Sequence, residues 1–249
     1  MSSNFKKYLN KYEFKTVLPG SGQEITFRPI TTGQMKSLLV HEGEDDLGAV
    51  EEVIDRMMSE CVIKPKDFDI NDLYINDRFF LLIELRKHTR GTTYEFEHKC
   101  PKCNSQSLQV VDLKKLKVNK LPKNINNVVK IDDDISVELD FPRRRDQKLA
   151  YDILREAPEI SEMQKTAELG TIISALTIKT IITPDGKDSD VSLEDKIFFV
   201  ENISTQMYEK IADFSSKNFG VDFKTTIKCK GKGCKETKTV NIPPENFFF

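Results

Sequence analysis

Two pairs of cysteines, set far apart, constrain this chain more than any other feature: Cys100-Pro101-Lys102-Cys103, and Cys229-Lys230-Gly231-Lys232-Gly233-Cys234 near the C-terminus. Each pair lies between short stretches that read as strands, Thr93 to Lys99 and Gln106 to Asp112 around the first, Phe223 to Lys228 and Thr237 to Ile242 around the second. Two knuckle hairpins are therefore predicted. Structural zinc takes four thiolate or imidazole ligands in a tetrahedron, and two facing hairpins supply two sulfurs each. One ion joining Cys100, Cys103, Cys229 and Cys234 would require the middle of the chain to leave and return to one place.

The loops carry suitable chemistry. Gly231 and Gly233 permit the positive backbone angles of a tight turn, and Pro101 fixes one angle between its two ligands. Lys99, Lys102, Lys228, Lys230, Lys232 and Lys235 flank the sulfurs, where they would lower thiol pKa and offset the charge of a four-thiolate site. Redox cysteines and plain thiols or disulfides are the alternatives. A thioredoxin-type dithiol begins a helix, whereas Asn104 to Val111 alternates like a strand and a second pair would go unexplained. His98, two residues before Cys100, could replace a cysteine, but a side chain at that spacing points across the strand.

With 38% hydrophobic and 31% charged residues the composition is that of a water-exposed chain able to bury one large core or two modest ones. Its longest apolar run, Phe79 to Ile83, is far too short to span a bilayer. The opening Met1-Ser2-Ser3-Asn4-Phe5-Lys6-Lys7 lacks the apolar block of a signal peptide, so a reducing cytoplasm is expected, in which a metal suits free thiols better than disulfides. A net charge of −2 gives no global drive toward nucleic acid. His41, His88 and His98 are the only histidines, none beside a plausible serine or cysteine nucleophile, and no glycine-rich phosphate loop occurs. The expectation is a protein that is not an enzyme.

Along the chain, Leu18-Pro19-Gly20-Ser21-Gly22 reads as the turn of an N-terminal hairpin whose second strand is Glu24 to Arg28. Thr31 or Thr32 caps a short helix, and Leu47, Val50, Ile54, Met57, Met58 and Cys61 form one face of a second, which makes Cys61 a core residue. Asp72 to His88 is the central helix, too apolar in its middle to be left uncovered, and Gly91 stops it. Val128 to Ile131 and Ile135 to Phe141 form a hairpin around an acidic turn, Asp132-Asp133-Asp134. Pro142-Arg143-Arg144-Arg145 then begins a helix running to about Glu156, and its triplet reads as the exposed first turn, the alternative being a grip on phosphate or an acidic protein. Ser161 with Gln164 is a capping box, Ser192 caps the next helix, Ser204 or Thr205 starts the last, and Asp185-Gly186 is a turn between the first two. The fold class predicted is α+β: a helical body with small β-hairpins and a discontinuous zinc-ribbon-like module. Its expected parts are residues 1–91, a module of 92–118 plus 221–249, and an inserted hairpin and helical region over 119–220. The tail Pro243-Pro244-Glu245-Asn246-Phe247-Phe248-Phe249 either folds back on the body or anchors a partner through Phe247, Phe248 and Phe249.

The run Asn76-Asp77-Arg78-Phe79-Phe80-Leu81-Leu82-Ile83-Glu84-Leu85-Arg86-Lys87-His88-Thr89-Arg90-Gly91, followed by a strand and then Cys100-Pro101-Lys102-Cys103, resembles the baseplate hub assembly proteins of contractile-tailed T-even-type phages. Leu18-Pro19-Gly20-Ser21-Gly22 and Thr26-Phe27-Arg28-Pro29-Ile30-Thr31 are similar to that family's N-terminal segment, and the likeness covers roughly the first 110 residues. The length is similar to that of the member regarded as an assembly factor that promotes hub formation without remaining in the finished particle. The resemblance implies an assembly chaperone with hub proteins as partners, working in the host cytoplasm and absent from the mature virion. A structural subunit of the hub is the alternative. A third reading, from the residues alone, is a zinc-ribbon nucleic-acid binder using the six knuckle lysines.

Overall fold

Pro19 and Gly20 turn the chain between two short strands, β1 (Phe14–Val17) and β2 (Glu24–Phe27), whose register runs from Phe14 opposite Phe27 to Val17 opposite Glu24. The computed structural model describes residues 12–40, 47–156, 161–215 and 219–243. Thr31 and Gln34 close the start of α1 (Thr32–Val40) reciprocally: the Gln34 amide donates to Thr31 Oγ1 at 3.3 Å and the Thr31 amide to Gln34 Oε1 at 2.9 Å. Helix α2 (Leu47–Cys61) runs into β3 (Val62–Lys64), which adds to β2 and completes a three-stranded antiparallel sheet. Cys61 is fully buried, as its place on the apolar face predicts.

Helix α3 (Ile75–Arg90) starts three residues later than its apolar pattern suggests, because Ile70–Asp72 closes a 3-10 turn of its own. Phe80, Leu81, Leu82, Ile83 and Leu85 are buried, and so are three charged residues. Each has polar partners, as burial demands. Asp77 accepts from the amides of Gly20 (2.6 Å) and Ser21 (2.8 Å), so the first turn of α3 grips the β1–β2 turn. Gly20 makes this possible, since a Cβ there would lie 2.9 Å from Asp77 Oδ1. Arg78 pairs with Asp55 at 2.5 Å and with Glu51, both on α2. Arg86 donates to the carbonyls of Gly91 and Thr93, fixing the helix end against the next strand.

Two hairpins follow the same plan. Strands β4 (Thr93–Lys99) and β5 (Gln106–Asp112) pair over their whole length, with Tyr94, Phe96, Gln109 and Val111 buried. A short strand β6 (Val118–Asn119) carries the chain away, and β11 (Gly220–Val221) brings it back antiparallel beside it. Strands β12 (Lys224–Lys228) and β13 (Thr237–Asn241) form the second hairpin. The Tyr94 hydroxyl donates to the Pro243 carbonyl at 2.8 Å, and the Phe79 ring meets Phe223 edge-on at 6.0 Å.

Among the described residues the chain forms two compact units, one within Met1–Asp69, Asn76–Lys120 and Phe219–Phe249, the other within Ile70–Ile75 and Leu121–Asn218. The second unit has a four-stranded sheet in the order β10-β9-β8-β7, built from β7 (Val128–Lys130), β8 (Ser136–Leu139), β9 (Ile178–Thr183) and β10 (Gly186–Asp188). Helices α4 (Arg144–Glu156), α5 (Glu162–Thr177), α6 (Leu193–Asn202) and α7 (Thr205–Ser215) belong to the same unit. Phe141 stacks on Phe214 at 4.8 Å between ring centres, and Tyr74 meets Phe141 edge-on. The Ser161–Gln164 capping box forms as predicted. Two expectations change. Asp185-Gly186 turns the β9–β10 hairpin and does not link two helices directly. Of the arginine triplet only Arg145 is exposed: Arg144 is fully buried, and Arg143 lies over the Tyr74 ring at 4.6 Å while donating to the Asp72 carbonyl. The fold is α+β, with seven helices and small antiparallel sheets among the described residues, none of those helices long and apolar enough to cross a membrane.

Candidate metal centre

Each cysteine pair sits in the turn that closes a hairpin, with its first cysteine one residue past the end of a strand. Cys100 follows β4, and its amide donates to the Ser105 carbonyl (3.0 Å) while its own carbonyl accepts from Asn104 (2.8 Å). Asn104 takes a positive φ of 57°, the left-handed geometry that closes this turn before β5 begins. Cys229 follows β12; its amide donates to Glu236 (2.9 Å), and the Cys234 amide to Gly231 (3.1 Å).

The two ends meet. The sulfurs of Cys100, Cys103, Cys229 and Cys234 all lie within 4.8 Å of one another, with Cys103 and Cys229 at 3.5 Å. A tetrahedron of thiolates about 2.3 Å from a central zinc has edges of about 3.8 Å, so the cluster needs to contract by an ångström at most to hold the ion. All four are free thiols, with Cys100 buried, Cys103 exposed, and Cys229 and Cys234 between those extremes. His98 lies on β4 and is not one of the clustered ligands.

Close approach depends on Gly231. A Cβ there would fall 2.6 Å from Ser105 Oγ and 3.0 Å from Cys103 Sγ, so the second knuckle can reach the first only because this position has no side chain. Of the two knuckle glycines that permit a positive φ, Gly233 takes it, at 75°, whereas Gly231 serves by its small size. Two flanking lysines also have partners besides the sulfurs. Lys102 bridges the knuckles by pairing with Glu236 at 3.2 Å, and Lys230 Nζ donates to the Leu108 carbonyl on β5.

Ser105 was not singled out from the sequence, yet its hydroxyl stands 3.3 Å from Cys103 Sγ and 3.5 Å from Cys229 Sγ. That hydroxyl is the main reason the Cys103 thiol is lowered to about 6, and it lowers Cys229 too, helped by the Gly231 amide 3.3 Å from the sulfur. The Glu236 amide pulls Cys234 down, but desolvation and the three neighbouring sulfurs outweigh it and push that thiol up to about 11. Thiolate charge thus begins at Cys103 and Cys229 and is resisted at Cys234 by sulfurs already crowded there. A divalent cation at the centre would reverse that resistance, since a coordinated thiol is deprotonated outright. Phe247, Phe248 and Phe249 lie outside the described residues.

A protein-family model described as T4 bacteriophage base plate protein matches residues 9–249. No curated protein and no solved structure matches the chain.

Proposed function

Because the chain belongs to the T4 bacteriophage base plate protein family, we propose that it is an assembly factor for the baseplate hub, acting by non-covalent binding of hub proteins and clamped by one structural zinc ion. The observation that carries the zinc is the meeting, within 4.8 Å, of four sulfurs from two loops far apart in the sequence. Cys100, Cys103, Cys229 and Cys234 would hold the ion as thiolates, and the metal would supply four strong bonds between two hairpins that share no backbone ladder. Ser105 and the Gly231 amide would then serve as hydrogen-bond donors to the metal-bound sulfurs of Cys103 and Cys229, holding them in place.

A β-module tied together by a metal would suit a protein that shields a partner's adhesive surface or holds two subunits in the orientation in which they join, both of which favour assembly without covalent chemistry. Phe247, Phe248 and Phe249 enter this reading as an aromatic anchor for a hub subunit. Deleting them is expected to weaken co-purification with hub proteins and leave melting unchanged; earlier melting would place the tail on its own body instead. The role itself is tested by mass spectrometry of finished particles beside infected-cell lysate. Abundance in lysate and absence from particles is the expected result, and stoichiometric presence in particles would replace the assembly factor with a structural hub subunit. Elemental analysis of freshly reduced protein should find one zinc per chain, and finding none would remove the metal from the proposal.

A further inference from the structure

Among the described residues strand β5 has one partner only. It pairs with β4 in a two-stranded sheet, and its register shows which of its backbone groups that partner uses. Ser105 and Leu113, at odd-numbered positions just beyond its two ends, exchange hydrogen bonds with the β4 side, through Cys100 and Thr92. Leu108 instead presents its carbonyl to Lys230, away from β4. In an antiparallel ladder the two sets alternate, so Val110 and Asp112 also turn their amides and carbonyls outward. No backbone partner for these outward groups is found among the described residues. Strand β12 is arranged alike: Cys229 and Ile242 mark the set bonded across to β13, which leaves Lys224 and Thr226 facing out.

A groove of about 370 Å³ lies between these two edges, lined by Val110, Asp112, Lys115, Leu116, Lys224 and Thr225, among others. Edge strands are usually guarded by charge, proline or a covering element. Here Val110 is 55% and Leu108 48% exposed, and nothing among the described residues covers them. Of the residues that line the groove, Lys115 and Lys224 are positively charged and Asp112 is negative; Glu95 and Glu97 stand opposite Val110 and Leu108 on β4, and Asp222 accepts from the Lys224 amide at 3.1 Å.

We propose that this groove takes an extended acidic segment of a partner protein, which adds as a strand to the free edge of β5 and sets its carboxylates against Lys115 and Lys224. The inference rests on the assembly reading only for who the partner is. Strand addition supplies main-chain hydrogen bonds to Val110 and Asp112, and alternate side chains of the added strand would cover Leu108 and Val110. A nucleic acid would satisfy the lysines, but its phosphates only accept and leave the outward carbonyls of β5 unpaired; among the described residues no exposed aromatic lines the groove to stack a base.

The test uses full-length zinc-loaded protein and ten-residue peptides tiled across every structural protein of the phage that encodes the chain, scored by fluorescence anisotropy. Acidic peptides should bind, weaken with salt, and slow amide hydrogen exchange at Val110 and Asp112 in the unaltered protein. Val110→Pro removes an outward amide without breaking the hairpin ladder and should lower affinity at least tenfold. Lys115→Glu with Lys224→Glu should do the same while leaving melting within a few degrees. Binding of no peptide, or binding that leaves those two amides unprotected, would overturn the proposal. So would tighter binding of a single-stranded oligonucleotide, or protection of Val110 in the free protein that vanishes when Phe247 to Phe249 are deleted, since the tail would then be the occupant. If acidic peptides from outside the hub bind here and hub peptides do not, the groove stands and the hub assignment fails. If hub proteins co-purify equally with Val110→Pro, the hub assignment stands and the groove fails.

Discussion

At the scale of single residues, the candidate centre depends on groups whose identity gave little warning. Gly231 reads in the sequence as one of two turn glycines, and only the approach of a second hairpin turns its missing Cβ into a requirement. Gly231→Ala is therefore expected to force the knuckles apart by some tenths of an ångström and to weaken zinc retention in a chelator competition by tenfold or more, an effect in the range seen when groups around metal ligands are altered. Retention equal to the parent would show that the loops can yield. The cysteines were legible because their chemistry admits few partners, whereas Ser105 was not, since a serine after a Cys-x-x-Cys has many uses. His88 makes a separate prediction. It stacks on Phe14 at 3.8 Å between ring centres, and burial holds its imidazole below the ordinary value although Glu84 opposes the shift. A group whose folded pKa is depressed favours the folded state above its unfolded pKa, and that contribution is lost as pH falls through the window below about 6.5. The melting temperature of the parent should fall more steeply from pH 7 to pH 5 than that of His88→Gln; parallel curves would remove His88 from the account.

At the scale of elements, periodicity carried most of the fold. The β4 and β5 limits were read from alternation alone, and α3 was found from the run Phe79 to Leu85. Leu82 is 4% exposed, so Leu82→Asp places a carboxylate among apolar neighbours at a cost of several kcal/mol. Insoluble protein, or a melting transition lowered by ten degrees or more, is the expected outcome, and an unchanged transition would mean that the helix is not held as described. What was missed at this scale is also physical. Strand β9 begins at Ile178, directly after α5 ends at Thr177, and the apolar residues Ile172, Ile173, Leu176 and Ile178 run on without a break. The signal that could have separated them is the β-branched run Ile178-Lys179-Thr180-Ile181-Ile182-Thr183, which favours a strand. Arg144 escaped for another reason: a charge triplet looks solvated in sequence, and only packing determines which member turns inward.

At the scale of the whole molecule, the sulfur cluster and the β6–β11 pair do related work. Residues 118–119 and 220–221 pair where the chain leaves and returns, and the cysteines lie on either side of that excursion. A metal bound at all four sulfurs would cross-link Cys103 to Cys229 and so close a loop of well over a hundred residues. In the chain-entropy view, closing a loop of about 100 residues is worth roughly 4 to 5 kcal/mol, close to the whole stability of many domains. Zinc removal by a strong chelator under reducing conditions should therefore speed amide exchange in β4, β5, β12 and β13 and lower the melting temperature markedly. Helices α5 to α7, held by contacts with one another and by the Phe141–Phe214 stack of their own unit, should keep their protection. The same loss should appear on acidification of the loaded protein, because all four ligands must stay deprotonated: metal-linked stability is present at neutral pH and is lost as pH falls and protons compete for the sulfurs. Adding zinc back to reduced protein should restore both readouts, and cadmium, which also prefers sulfur ligands, should substitute with a thiolate charge-transfer absorbance in the near ultraviolet. If chelation changed neither exchange in the hairpins nor melting, the four sulfurs would be neighbours without a metal, and packing of Tyr94, Phe96, Ile227 and Ile242 would have to hold this part of the molecule unaided.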